Sequence, residues 1–129
     1  TIGLGNGNTA ERNHRHGIYL EKSDNNKIIN NKAAGAAGAG NDVDGIHLFD
    51  SDANTITNND ANRNDQFGIY LNFSSSNTIT GNNANNNHCF GIHLRHYGSN
   101  TITGNTASYN ARGIYLYHSS NNNITGNKV

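Results

Sequence analysis

A four-residue motif recurs through the whole chain and constrains its fold more than any other feature. The motif is Gly-Ile-x-Leu, where x is Tyr or His, and its copies begin at Gly17, Gly45, Gly68, Gly91 and Gly113. Side chains two residues apart lie on the same side of a β-strand, and the residue between them points to the other side. Each copy therefore predicts a short strand with Ile and Leu inward and Tyr or His outward.

A second motif, Asn-x-Ile-x-x-Asn, follows each copy of the first. Its central residues are Ile28, Ile56, Ile79, Ile102 and Ile124, and Ile2 belongs to a truncated first copy. A third apolar position follows five residues after four of these isoleucines, at Ala61, Ala84, Ala107 and Val129. Each repeat thus contains three short apolar stretches that alternate with three polar corners.

These repeats predict an all-β fold, a right-handed single-stranded parallel β-helix. We expect about five and a half coils of 22–28 residues, with three short strands in each coil. No coil can bury its own Ile and Leu, so stacking on neighbouring coils must do so. We expect residues 1–129 to form one domain, as a segment of a longer chain or a protomer of a filament. Residues 33–44 are expected to form a loop inserted at one corner.

Asparagine makes up about a fifth of the chain and recurs in three columns at the predicted corners. The columns are Asn26, Asn54, Asn77, Asn100 and Asn122; Asn31, Asn59, Asn82, Asn105 and Asn127; and Asn13, Asn41, Asn64, Asn87 and Asn110. An Asn amide can hydrogen-bond to the equivalent amide in the next coil, and Asn tolerates left-handed backbone at a bend. We interpret these columns as structural ladders, not as a binding site.

Charge and hydropathy disfavour two classes of partner. The formal net charge is zero, so no basic field attracts nucleic acid, and the short apolar runs do not predict insertion into a membrane. The expected partners are copies of the chain itself, stacked end to end, and polysaccharide. The expected location is extracellular or at the cell surface, with the periplasm as the alternative.

Several outward positions could bind a divalent metal ion, although the fold requires no cofactor. Two carboxylates and two imidazoles occupy one corner of successive coils, and they predict a metal site or an acid–base pair. A cluster of imidazoles predicts a copper or zinc site, and a cluster of aspartates predicts a calcium site. The three groups are His14, Asp42, Asp65 and His88; His93, His96 and His118; and Asp24, Asp50 and Asp52.

The outward column of the first motif is aromatic. It consists of Tyr19, His47, Tyr70, His93 and Tyr115. An exposed stripe of this kind could stack on sugar rings, whereas the alternative is a ladder of rings that stabilises the sheet by stacking on itself. Of the two glycosylation sequons, Asn72 is expected to lie at an exposed corner, and Asn123 is expected to lie within a strand.

The segment from Gly113 to Asn127 follows the pattern GIYLxxSxxNxITGN and resembles the repeats of the NosD-like and pectate-lyase-like parallel β-helix superfamily. The resemblance covers essentially the whole chain and implies the fold. For function it implies several classes: polysaccharide lyases and hydrolases, carbohydrate-binding modules, a periplasmic copper-linked accessory protein, and surface proteins. No catalytic motif of these enzymes is present, so no catalytic residue is assigned.

These observations favour an extracellular structural β-solenoid that associates end to end. The first alternative is a carbohydrate-binding or polysaccharide-cleaving module, and the second is a copper-binding periplasmic protein of the NosD-like type. Whether the chain is an enzyme stays open. The scattered basic residues and the absence of a long substrate-walling loop count against catalysis.

Overall fold

A computed structural model describes residues 1–3, 5–36 and 38–129 and contains two parallel sheets of five strands each. Sheet I consists of β1 (Ile18–Glu21), β3 (Ile46–Phe49), β5 (Phe67–Asn72), β7 (Phe90–Arg95) and β9 (Arg112–Tyr117). Sheet II consists of β2 (Lys27–Ile29), β4 (Thr55–Thr57), β6 (Thr78–Thr80), β8 (Thr101–Thr103) and β10 (Asn123–Thr125). The chain alternates between the two sheets, so each coil adds one strand to both. The predicted parallel β-helix is confirmed.

The third side of each coil differs from the predicted third strand. Neighbouring coils meet there through single-residue bridges, which join Thr9, Lys32, Asp60, Asn83, Thr106 and Lys128 in order. Two corner asparagines only five residues apart, such as Asn59 and Asn64, flank the bridge residues Thr9, Asp60, Asn83 and Thr106. The backbone bends at both of these corners, which leaves room for one paired residue instead of a strand.

The interior is a narrow column of aliphatic side chains contributed by both sheets and by the bridge side. Its members are Ile and Leu of sheet I, Ile of sheet II, and Ala beside each bridge. Ile46, Leu48, Ile56, Ile69, Leu71, Ile79, Ile92, Leu94 and Ile102 are all almost completely buried. The alternation read from the two motifs therefore places each of these side chains correctly.

Asparagine ladders connect the coils at the corners, as expected. The backbone N–H and side-chain Nδ2 of Asn59 both donate to Oδ1 of Asn82, at 2.8 and 2.9 Å. Asn82 donates in the same way to Oδ1 of Asn105, at 2.9 Å for both donors. Its Nδ2 also reaches the carbonyl of Ile56, at 2.8 Å. The amide of Asn82 is thus satisfied by the coils on both sides of it.

The long second coil keeps its register on either side of the extra residues. Lys32 pairs with Asp60, and the N–H of Asn41 donates to Oδ1 of Asn64 at 3.2 Å. The residues without an equivalent in the next coil therefore lie between Ala33 and Asn41, a shorter segment than 33–44.

The residues that the structure describes include no helix long and apolar enough to cross a membrane.

Candidate functional site

The outward side of sheet I carries most of the aromatic and ionisable side chains that pack together. We call it the aromatic face and define it by two columns, the outward position of the first motif and the position before its glycine. The first column is Tyr19, His47, Tyr70, His93 and Tyr115, and the second is His16, Asp44, Phe67, Phe90 and Arg112. The in-register pairing of β1, β3, β5, β7 and β9 aligns both columns along the stack.

The rings of this face pack mainly on one another. Phe67 stacks on Phe90 with ring centroids 5.2 Å apart, and Tyr70 stacks on His93 at 4.8 Å. Tyr70 and His93 are only 8% and 7% exposed, whereas Tyr19 is 47% exposed. The middle of the expected sugar-stacking stripe is therefore covered, because the phenylalanines of the second column lean against it. Only the margins of the face remain accessible.

His93 is an uncharged member of this ring ladder. Burial lowers its pKa from 6.5 to about 4, and the positive charge of Arg95 acts in the same direction against a smaller opposing effect of Asp44. Neither ring nitrogen has a hydrogen-bond partner among the described residues. The imidazole is therefore neutral near pH 7 and packs as an aromatic ring.

Two arginines place positive charge over the tyrosines at one end of the face. The guanidinium of Arg112 lies 4.4 Å from the ring centroid of Tyr115, and that of Arg95 lies 5.9 Å from the ring centroid of Tyr117. Both arginines are exposed. Such cation–π contacts restrict a guanidinium while leaving N–H groups free for an incoming anion.

At the other end of the face, His16, Asp44 and His47 converge on one point. Oδ2 of Asp44 lies 3.1 Å from Nδ1 of His16 and 3.1 Å from Nδ1 of His47. The side chains are 10%, 1% and 13% exposed, respectively. Asp44 is further held by the N–H of Phe67, which donates to its Oδ1 at 3.2 Å. The motifs place His16 and Asp44 in one column, but their convergence with His47 was not predicted from the sequence.

Electrostatics keep Asp44 ionised in this buried position. Burial acts to raise the pKa of Asp44, but the close contacts with His16 and His47 outweigh burial, and the pKa is held below its usual value. The two Nδ1 atoms are buried, yet neither forms a well-directed hydrogen bond to the carboxylate. The group therefore contains two buried imidazole nitrogens without a proper partner.

The corner group predicted from the sequence is only partly assembled. Nδ1 of His14 lies 3.2 Å from Oδ2 of Asp42, and both side chains extend into solvent. Asp65 and His88 are exposed in the following coils. Only one group in residues 1–3, 5–36 and 38–129 has three potential metal ligands within 4.8 Å of one another. It consists of His16, Asp44 and His47.

The second predicted histidine group is divided between two surfaces. His96 stacks on His118 with centroids 5.9 Å apart and planes 5° apart, and it also stacks on Phe73 at 4.4 Å. His93 belongs to the aromatic face instead. Parallel stacked rings do not direct their nitrogens at a common point, so the three imidazoles are not brought together.

The aspartates considered for calcium have a structural role. Oδ1 of Asp24 accepts the N–H of Asp52 at 2.7 Å, and Oδ1 of Asp52 accepts the N–H of Ser75 at 2.6 Å. Asp50, also considered, is exposed and has positive φ at the corner after β3. The first two carboxylates thus extend the ladder pattern of the asparagines.

Of the two sequons, Asn123 lies within a strand as expected, whereas Asn72 does not lie at an exposed corner. Asn72 is the last residue of β5 and is half-buried, with its Oδ1 fully buried, because this strand continues past the first motif. Asn123, at the start of β10, is exposed.

Comparison with known proteins agrees with this architecture. Residues 4–129 match the family model described as "Right handed beta helix region". The chain therefore belongs to the right-handed β-helix family, which also fixes the hand of the coil. No curated protein sequence matches the chain.

Two solved structures are similar, and both are mutants of the periplasmic alginate epimerase AlgG. A single-substitution mutant is 28% identical with a TM-score of 0.85, over 92% of this chain and 28% of the epimerase. A double mutant is 29% identical with a TM-score of 0.72, over 82% of this chain and 24% of the epimerase. The chain thus spans only about a quarter of the length of the epimerase.

Proposed function

We propose that this chain binds an acidic polysaccharide along the aromatic face, as a β-helix located in the periplasm or outside the cell. The observation that carries the proposal is the pair of exposed guanidinium groups, those of Arg95 and Arg112, held against the rings of Tyr117 and Tyr115. They lie on a sheet face whose margins also expose Tyr19.

The chemistry of these groups suits a chain of acidic sugars. A guanidinium presents a planar set of N–H donors that matches a carboxylate, and a tyrosine ring offers an apolar surface to a sugar ring. The rings of Phe67, Tyr70, Phe90 and His93 stack on one another on the outward side of sheet I and supply a rigid base for these groups. Binding therefore needs little ordering of the protein.

Similarity to the alginate epimerase supports the same class of ligand. The epimerase is named for a polyanionic polysaccharide and for the periplasm, and it is similar to nearly the whole of this chain. Because the chain covers only part of that protein, we extend to it the ligand class and the compartment but not the epimerase reaction.

Affinity electrophoresis in gels containing alginate, polygalacturonate or neutral dextran tests the proposal. We expect retardation by the two acidic polymers, weakened by salt. The variants Arg112→Gln and Arg95→Gln should each bind roughly tenfold more weakly, since hydrogen bonds to charged groups contribute about 1.5–3 kcal/mol. Lys27→Gln removes one positive charge from sheet II and is the matched control. Equal retardation by dextran, no retardation at all, or an equal loss in the control would contradict the proposal.

End-to-end association of copies is the second candidate. The last coil exposes Ile124 and Val129, next to half-buried Ile114 and Leu116. Another coil placed on these side chains would bury them as the inner coils bury theirs, and a head-to-tail contact of this kind builds a filament. Sedimentation velocity over a wide concentration range tests this candidate, and a constant monomer mass would exclude it.

A further inference from the structure

We propose that His16, Asp44 and His47 bind a single first-row divalent transition-metal ion. The three residues come from two neighbouring coils and lie at one end of the aromatic face. The site is distinct from the arginines at the other end, and the inference does not depend on polysaccharide binding.

The spacing of the donor atoms matches a metal centre. A zinc ion lies about 2.0–2.2 Å from imidazole nitrogen and carboxylate oxygen. Two donors at that distance, separated by octahedral or tetrahedral angles, lie roughly 2.9–3.5 Å from each other. Oδ2 of Asp44 lies 3.1 Å from Nδ1 of both histidines, and one possible ligand atom from each of the three residues lies within 4.8 Å of the other two. The Asp44 carboxylate and each imidazole are therefore spaced as two ligands of one ion would be.

The hydrogen-bonding state of the site also indicates a missing ligand. Nδ1 of His16 and Nδ1 of His47 are buried without a hydrogen-bond partner among the described residues, although the Asp44 carboxylate is close to both. Leaving buried polar atoms unpaired costs about 1–3 kcal/mol for each group. A cation bound to the lone pairs of both nitrogens and of the carboxylate removes that cost.

The remaining oxygen of Asp44 is already in use, as is common for metal-binding carboxylates. Oδ1 accepts the N–H of Phe67 from the next coil, which fixes the plane of the carboxylate and directs Oδ2 towards the histidines. Such outer contacts orient the atoms that bind the ion. Because this contact comes from the backbone, it does not depend on the side chain at position 67.

The donor set selects the kind of ion. Calcium and magnesium prefer oxygen ligands, whereas two imidazoles with one carboxylate suit zinc, copper or iron in the divalent state. Three protein ligands leave further coordination positions for water or an oxygen ligand. A surface depression lined by Arg15, His16, Tyr19 and Glu21 opens beside the site and provides access.

Isothermal titration calorimetry with zinc, after treatment with a chelator, tests the proposal. Cobalt(II) absorption provides a second readout that reports the coordination of the ion. We expect one zinc ion per chain and a rise in the thermal unfolding temperature on binding. Asp44→Asn and His47→Gln should each weaken zinc binding at least about tenfold. The amide introduced by Asp44→Asn can still accept the N–H of Phe67, and circular dichroism checks that each variant is folded.

Two further variants keep the test decisive. His16 lies in the first strand-containing coil. The variant His16→Gln therefore removes a ligand in a different coil from Asp44 and His47, and it can be tested even if changes at those two residues prevent folding. The double variant His14→Gln with Asp42→Asn removes an imidazole–carboxylate pair of similar spacing from the exposed corner, and it should bind zinc as the unaltered chain does. No binding in the micromolar range, or a loss of binding in the corner variant but not in the other three, would overturn the proposal.

Discussion

At the scale of single residues, asparagine determines how the corners are built. The same amide accepts hydrogen bonds from one neighbouring coil and donates to the other, so one side chain satisfies backbone and side-chain groups that face no water. A separate column, two residues after each Ile of sheet II, has positive φ and contains Asn30, Asn58, Gly81, Gly104 and Gly126. Only glycine and asparagine adopt this conformation readily, which explains the choice of residues at that bend.

The inner ladder can be tested at Asn82. Replacement by Ala removes the acceptor of the Asn59 N–H and one of the two acceptors of the Asn59 Nδ2. It also removes the side-chain donor to Oδ1 of Asn105 and to the carbonyl of Ile56. We expect Asn82→Ala to lower the free energy of unfolding by roughly 3–5 kcal/mol, because several buried polar groups lose their hydrogen bonds together. Urea denaturation measures this loss. The neighbouring exposed Asn83, replaced by Ala, is the control and should cost less than about 0.5 kcal/mol. Equal losses at both positions would contradict the ladder's role.

His93 makes stability depend on pH in a defined direction. Its pKa is about 4 in the folded chain and near 6.5 when exposed, so the unfolded chain binds more protons between these values. Stability is therefore complete above about pH 6.5 and is lost as the pH falls towards about 4. The full difference corresponds to about 3 kcal/mol. The groups that act on this imidazole are Arg95, Asp44 and the rings of Phe67, Tyr70, Phe90 and Tyr115.

The variant His93→Tyr isolates this effect, since tyrosine occupies the same column in the neighbouring strands and does not titrate in that range. We expect the unaltered chain to lose up to about 3 kcal/mol more stability than the variant between pH 7 and pH 4. Denaturation of both proteins across this range gives the comparison. Parallel curves for the two would show that His93 is not buried in its neutral form.

At the scale of elements, the two sheets differ in length and in what they present to solvent. Strands of sheet II have three residues each, and all except β10 have a buried Ile between outward residues that are mostly threonine. In sheet I, β5, β7 and β9 have six residues each and begin with Phe67, Phe90 and Arg112. The longer strands bring the column before each glycine onto the sheet, and this is why the aromatic face lies on sheet I.

The inserted corner between Ala33 and Asn41 is expected to be dispensable for folding. Removal of residues 35–39 gives Ala33 and Asn41 the same spacing along the chain as Ala61 and Asn64 of the next coil. Shortening a loop changes the free energy of its closure by less than about 1 kcal/mol. We expect the shortened chain to unfold cooperatively, with stability within about 1 kcal/mol of the unaltered chain. A deletion of residues 62–66 removes the same number of residues but takes Asn64 from its ladder, and it should abolish cooperative unfolding. Circular dichroism during thermal unfolding distinguishes these outcomes, and a similar loss in both would contradict the expectation.

At the scale of the whole molecule, the fold is a stack in which each coil depends on its neighbours. Every strand of the described chain pairs in parallel with the equivalent strand of an adjacent coil. Within residues 1–129, an inner coil is covered on both sides, whereas the coil that contains β9 and β10 is covered on one. Local stability should therefore fall from the middle of the stack towards the uncovered coil.

Equivalent isoleucines of sheet II test this gradient. Ile79 is 0% exposed, and its replacement by Ala should lower the free energy of unfolding by roughly 2–5 kcal/mol, because the surrounding coils cannot close the cavity. Ile124 holds the same position in the last coil but is 43% exposed. Its replacement by Ala should cost less than about 1.5 kcal/mol, since the exposed side chain of Ile124 buries much less apolar surface than that of Ile79. Urea denaturation of the two variants gives the comparison, and equal losses would count against a stack with an open end.

The sequence by itself determined the fold, the inward side chains, the asparagine ladders and the membership of each column. It could do so because strand alternation and stacking repeat the same local geometry in every coil, so a periodic pattern is enough. The exceptions within the fold have a local cause. The third strand is reduced to a bridge such as that between Asp60 and Asn83, because two corners lie too close together.

Only the tertiary structure decided which outward side chains meet and which are exposed. A column places like positions in successive coils, but rotamers and packing between different columns decide whether side chains converge. Tyr70 and His93 are covered by phenylalanines from the adjacent column, and His14 and Asp42 meet without Asp65 and His88. The convergence of His16 and Asp44 with His47 joins two columns across two coils. The repeat places His16 and Asp44 in one column, but it does not place His47 against them. Periodicity therefore specifies the backbone and the core, whereas a site depends on the packing of side chains between columns.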